Sequence, residues 1–162
     1  ITFYGLQTLQ GPMQAVRTFS AFIHYTDWVP AHIHMGIMGW VSMIAFGSIY
    51  YLTPRIYGKQ LYSIPLANLH FWLILIGQLI WSISLWVAGV LQAGMWNAMN
   101  PDGSLTYTFM ETMVEMYPYW WARAIGGVIY FIGVLVFIYN LVKTVGKGDE
   151  ESSEQALAEG RA

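Results

Sequence analysis

Two histidines, His32 and His34, stand two residues apart in the run Trp28-Val29-Pro30-Ala31-His32-Ile33-His34-Met35-Gly36, and no charged residue separates Trp28 from Pro54. An ionisable side chain in a membrane-depth apolar segment is costly to bury and marks a functional site by default. At about 100° per residue, positions i and i+2 of an α-helix lie about 200° apart. The two imidazoles therefore point to nearly opposite faces and cannot readily chelate one metal together, as an i, i+4 pair can. Each can instead hold a different metal, one haem iron on either side, with the helix as the wall between. The plainer alternative is two polar residues satisfied by neighbouring helices.

Other groups able to do chemistry surround this pair. His24-Tyr25-Thr26-Asp27-Trp28 is a polar turn just before it. Its donors suit the carboxylates of an upright haem, or it is an interfacial turn with aromatic anchors. Arg17 and Arg123 are propionate partners or snorkelling cations, and snorkelling is the better reading for Arg123. Gln10, ahead of Gly11-Pro12, is a polar group at membrane depth. His70 opens a later apolar segment, far from the pair, and reads as interfacial. There is no cysteine, which excludes disulfides, thiolate ligation and c-type haem attachment. No phosphate-binding glycine loop, HExxH motif or Ser/His/Asp set is present, and no basic patch suits nucleic acid.

The elements that position these residues are membrane helices. The chain is 56% hydrophobic and 10% charged, against about 25% charged in soluble domains. Five of its nine acidic residues (Asp149, Glu150, Glu151, Glu154 and Glu159) lie in the tail. Apolar segments are expected over about residues 1–23, kinked at Gly11-Pro12, then 29–53, 67–96 and 120–142. This predicts an all-α, polytopic transmembrane bundle of four helices over residues 1–145, with a disordered cytoplasmic tail over 146–162. Arg55 and Lys59 follow the second segment, and Lys143 and Lys147 the fourth; the 97–118 loop carries Asp102, Glu111 and Glu115. The positive-inside rule puts the basic ends in the cytoplasm, so His32 and His34 sit in the outer third of the membrane. The chain starts inside an apolar segment without methionine, which suggests part of a longer protein.

Thr2-Phe3-Tyr4-Gly5, Gly11-Pro12-Met13, His24 to Trp28, the His32-Ile33-His34 pair with Gly36 and Gly39-Trp40, His70-Phe71-Trp72, Trp86 to Gly89 and Arg123 to Gly127 together resemble the catalytic subunit of cbb3-type cytochrome c oxidase. This is the C-family of haem–copper oxygen reductases, and the resemblance covers nearly all of residues 2–145. It implies two haem b groups, with His32 the proximal ligand of the high-spin haem and His34 a ligand of the low-spin haem. It also implies His24 and Asp27 near the propionates and the proton exit, and Tyr4 and Thr8 on a helix of the proton pathway. Many members carry glutamate where this chain has Gln10. An amide cannot titrate, so no proton-carrying role transfers to residue 10.

The resemblance further implies what must come from elsewhere. With four histidines in all, this chain does not supply the three copper ligands, the cross-linked tyrosine or the second low-spin ligand. No catalytic residue of the copper site is expected in it. It reads as the last four helices of a twelve-helix subunit in a bacterial inner membrane. Its implied partners are the rest of subunit I, c-type cytochrome subunits, cytochrome c as donor, and lipid. The rivals are a nitric oxide reductase-like subunit, a non-catalytic dihaem carrier, and a scaffold without cofactor.

Overall fold

In a computed structural model, residues 1–146 are described with their side chains and the helical backbone continues to Ala158. The expectation of a disordered tail falls on residues outside the fully described ones. The element order is α1 (Thr2–Ala15), α2 (Arg17–Ile23), α3 (Trp28–His34), a π-helical segment (Met35–Val41), α4 (Ser42–Tyr57), α5 (Ile64–Trp96) and α6 (Phe109–Ala158). No strand occurs among the described residues beyond an isolated antiparallel bridge, Met99 to Leu105. Three stretches are long and apolar enough to cross a membrane: Trp28–Tyr57, Ile64–Trp96 and Phe109–Gly146. The expected helical membrane bundle is borne out.

The pair α5 and α6 forms the spine. They touch through small residues: a Cβ added at Gly77 would lie 2.8 Å from the Gly126 carbonyl oxygen, and one at Gly126 2.8 Å from that of Gly77. Close backbone approach of this kind is how membrane helices gain packing without a hydrophobic drive between them. The α3–π–α4 span lies along this spine, α1 lies on the π segment and α3, and α2 touches α5. Polar pairings set the register. Asp27 meets Gln92 and Trp120 at one end. At the other, the Ser63 N–H donates to Asn140 Oδ1 at 3.1 Å, Asn140 Nδ2 donates to the Ser63 carbonyl at 2.9 Å, and the Tyr62 N–H donates to Thr144 Oγ1 at 3.0 Å. Lys59 Nζ donates to the Val145 carbonyl at that same end. Arg55 in the last turn of α4 and Lys59 just after it thus share an end with the base of α6, and the 97–108 loop lies opposite.

Two segments differ from the expectation. Residues 1–23 are two helices, because Val16 is extended (φ −65°, ψ 121°). Pro12 lies inside α1 without breaking it; it forfeits only the donor for the Thr8 carbonyl, which a membrane helix tolerates. The last span begins at Phe109, not near Trp120, because Thr108 and Glu111 make a capping box. Glu111 Oε2 accepts from the Thr108 N–H at 2.7 Å, and Thr108 Oγ1 accepts from the Glu111 N–H at 3.3 Å. Pro118 is carried within that helix.

Candidate functional site

Both histidines lie in the α-helical turn before the π segment, so the opposite-face argument applies to them. His32 faces α1, where its Nδ1–H donates to Gln10 Oε1 at 3.2 Å. His34 faces α5, its ring 5.2 Å from that of Trp81. Its Nδ1–H donates to the Pro30 carbonyl one turn back, at 2.6 Å. A carbonyl oxygen only accepts, so the proton sits on Nδ1 in both rings and the free lone pair on Nε2. An orienting bond on the far nitrogen is what a metal-bound histidine needs. The donor set therefore fits a haem iron on each side of the helix, which Nε2 of His32 and Nε2 of His34 would hold.

The wall between the rings is fixed from two sides. Gln78, fully buried, donates from Nε2 to the His34 carbonyl at 3.3 Å and to Ser82 Oγ at 2.7 Å. On the α1 side, Trp40 Nε1 donates to Gln7 Oε1 at 2.5 Å, and Gln7 lies where a Cβ on Gly36 would run into it. The wide π turn begins directly after His34 and carries Gly36, Gly39 and Trp40. Such segments are frequent at functional sites. Ser42 Oγ closes the turn by donating to the Ile37 carbonyl at 2.7 Å.

The other expected residues are not all brought to this place. Asp27 turns away from its own helix: its Oδ2 accepts from Trp120 Nε1 at 2.7 Å and from Gln92 Nε2 at 3.4 Å. His24 is exposed and meets the edge of Tyr25 at 4.3 Å. Tyr4 and Thr8 are exposed on α1, Tyr4 packing edge-on to Trp40 at 5.2 Å. Arg17 is exposed. Arg123 stacks at 5.9 Å over Trp81, the ring that also touches His34, so it is placed by an aromatic face instead of snorkelling freely. His70, read as interfacial, is 3% exposed, among Phe46, Tyr50 and Phe137. The reason is that α5 starts at Ile64, which puts His70 well inside the helix on the face packed against α4 and α6. Among the described residues no three of His, Cys, Asp and Glu gather as a metal cluster.

Gln78, Gln92, Trp81 and Trp120 escaped the sequence reading. A signal was available for the glutamines: amides inside an uncharged apolar helix must find partners in the bundle.

The model of the family described as cytochrome C and quinol oxidase polypeptide I matches residues 1–129. The cbb3-type cytochrome c oxidase subunit CcoN1 of Stutzerimonas stutzeri is 47% identical over 146 residues, covering 90% of this chain and 31% of that protein. The cytochrome c oxidase subunit 1 homolog of Agrobacterium tumefaciens (strain T37) is 41% identical over 160 residues, 98% of this chain and 30% of that protein. A nitric oxide reductase chain of Stutzerimonas stutzeri is 29% identical over 136 residues, 80% of this chain and 28% of that protein. This chain spans about a third of the length of the two oxidase subunits it matches. With a family model over most of its length, and cbb3-type subunits this similar, the chain belongs to the cytochrome c and quinol oxidase polypeptide I family.

Proposed function

We propose that this chain is part of the catalytic subunit of a terminal respiratory oxidase, which reduces oxygen to water with electrons from cytochrome c and couples this to proton translocation. His32 holds the high-spin haem b and His34 the low-spin haem b, each through Nε2. Bound there, the two haems supply electron transfer and the oxygen-binding iron, with copper held by residues outside this chain. The rest of subunit I, c-type cytochrome subunits and lipid complete the assembly in a bacterial inner membrane, with the basic helix ends and the tail on the cytoplasmic side. His24 is free to reach a propionate, and Tyr4 and Thr8 to line a proton path with helices not in this chain.

What carries the reading is one arrangement: two imidazoles on one helix, on different faces, each with Nδ1 spent on an acceptor. Gln10 accepts a hydrogen bond and cannot itself titrate, so it orients His32 without adding charge. A nitric oxide reductase reading rests on 29% identity against 47% for the cbb3-type subunit, and ranks below.

The test is reduced-minus-oxidised and carbon monoxide difference spectra of the purified parent complex. His32→Ala is expected to remove the carbon monoxide-binding haem, and His34→Ala to perturb the low-spin haem alone. If neither substitution touches a haem band, the pair is structural and the oxidase assignment of these residues fails.

A further inference from the structure

The turn ahead of α3 is built more tightly than a surface connection needs. Tyr25 sits at φ 70°, a left-handed conformation that a bulky L residue keeps only when its surroundings impose it. Thr26, 2% exposed, imposes it from one side: its Oγ1 donates to the Ile23 carbonyl at 2.6 Å and accepts from the Trp28 N–H at 3.3 Å. The next residue imposes it from the other. The Asp27 N–H donates to Gln92 Oε1 at 2.6 Å, and Gln92 Nε2 donates back to Asp27 Oδ2 at 3.4 Å. Trp120 Nε1 donates to the same oxygen at 2.7 Å. Asp27 occupies the N-cap of α3 yet makes no side-chain cap bond. An aspartate at that position ordinarily accepts from its own first turn; this one is spent on α5 and α6. Gln92 is 4% exposed, and Trp28 crosses α5 at Gly89, where any Cβ would collide with the Trp28 backbone. Trp28 is flanked by Phe19 at 5.6 Å and Trp86 at 6.2 Å.

We propose that Asp27 is a positioning residue: its carboxylate pins the start of α3 to α5 and α6, and so sets the height and rotation of His32 and His34. His34 lies about 10 Å along the axis from Asp27 at 1.5 Å per residue, and a slip of one residue would turn both rings by about 100°. A helix that must present two rings to two faces has to be fixed in rotation as well as in depth. A reciprocal amide bond and an indole donor, from two different helices, fix both. This differs from a proton-releasing role, which needs the carboxyl to exchange a proton but does not need Trp120.

The experiment compares Asp27→Asn, Asp27→Ala, Trp120→Phe and the Asp27→Ala/Trp120→Phe pair in the full-length subunit within the assembled oxidase. Hydrogen exchange of the amides over residues 26–34 reads the clamp itself; the paramagnetic resonance signature of the low-spin haem reads the ring His34 presents. That second arm alone rests on the ligand assignment above. Trp120→Phe is expected to speed exchange about tenfold or more, the loss of one charge-assisted bond, and Asp27→Ala at least as much, since it also loses the bond from Gln92 Nε2. Asp27→Asn, whose amide oxygen still accepts from the indole but without the charge, should speed exchange clearly less than Asp27→Ala. The double variant should be no worse than Asp27→Ala, because both remove the same bond. The haem signature should shift in Asp27→Ala and in Trp120→Phe. Should Asp27→Ala prevent assembly, Trp120→Phe and Asp27→Asn still decide the matter. A silent Trp120→Phe with Asp27→Asn as damaging as Asp27→Ala overturns the proposal, since the charge and not the clamp would then matter. Faster exchange with an unshifted signature, in an enzyme where His34→Ala does perturb that haem, overturns the claim that the clamp places the rings. Where His34→Ala leaves every haem band intact, the ligand assignment falls and exchange alone judges the clamp.

Discussion

The two ends of the bundle use polar groups in opposite ways. At the base of α6, Asn140 and Thr144 are fully buried and bond the backbone entering α5, so the polar groups close on one another. In the last turn of α3, His32 and His34 are half-buried; each commits one ring nitrogen and keeps the other. A closed network in low dielectric fixes a register. An open one holds a side chain still while leaving its reactive atom available. The same spine, α5 and α6, serves both, which is how a rigid end can support a reactive one.

Asn140→Leu breaks the closed end and is expected to have the largest effect on stability. Leucine keeps the volume but leaves the Ser63 N–H and carbonyl without partners. Ser63 is half-buried, so each of the two orphaned groups costs about 1–2 kcal/mol, the lower part of the range for a buried group, and the loss is about 2–4 kcal/mol. Thermal unfolding of the assembled enzyme in detergent should show a clearly lowered midpoint, with haem bands unchanged in the folded fraction. A midpoint equal to wild type would mean this end is not the stabilising one.

Gln10 sharpens the contrast at the open end. Gln10→Leu removes the acceptor on His32 Nδ1 and should leave overall stability within about 1 kcal/mol, the net worth of one hydrogen bond. Its effect should fall on the high-spin haem, as weaker retention or a broadened spectrum, by about 10–100-fold in affinity. Gln10→Glu puts a carboxylate on the same proton, makes the imidazole more basic and should lower that haem's midpoint potential. Redox titration of both variants checks the sign; equal potentials in Gln10→Glu and wild type would show that the bond does not tune the ligand.

How much of this was legible follows the type of signal. The helices were legible because uncharged apolar runs of this length have few other solutions. The opposite faces of His32 and His34 followed from helical angle alone, and the structure keeps them. α6 starts earlier than the apolar run alone indicates, because Thr108-Phe109-Met110-Glu111 spells a capping box outside that run. The π turn at Met35–Val41 has no comparable signature; its close neighbours at Gly36 and Gly39 are Gln7 and Phe3 of α1, distant in sequence. The partners of Asp27 were out of reach for the same reason. Gln92 and Trp120 are distant in sequence, and only the packing of α5 on α6 brings them to one oxygen.

The smallest expected effect concerns the 97–108 loop, outside the spans. Asp102 accepts from the Ser104 N–H at 3.0 Å and from Ser104 Oγ at 2.7 Å, and these bonds hold its carboxyl below the usual value. A depressed acid contributes order above its unfolded pKa and loses it as pH falls through the lower folded one. The Ser104 amide should therefore keep its exchange protection across neutral pH and lose it only well below about pH 4. Asp102→Asn should weaken that protection at every pH, since a neutral acceptor bonds less strongly. Neither change should reach His32 or His34, because Asp102 is exposed and bonds only within its own turn. A shift of any haem band in Asp102→Asn would show that this loop, and not the pinned start of α3, governs that end of the bundle.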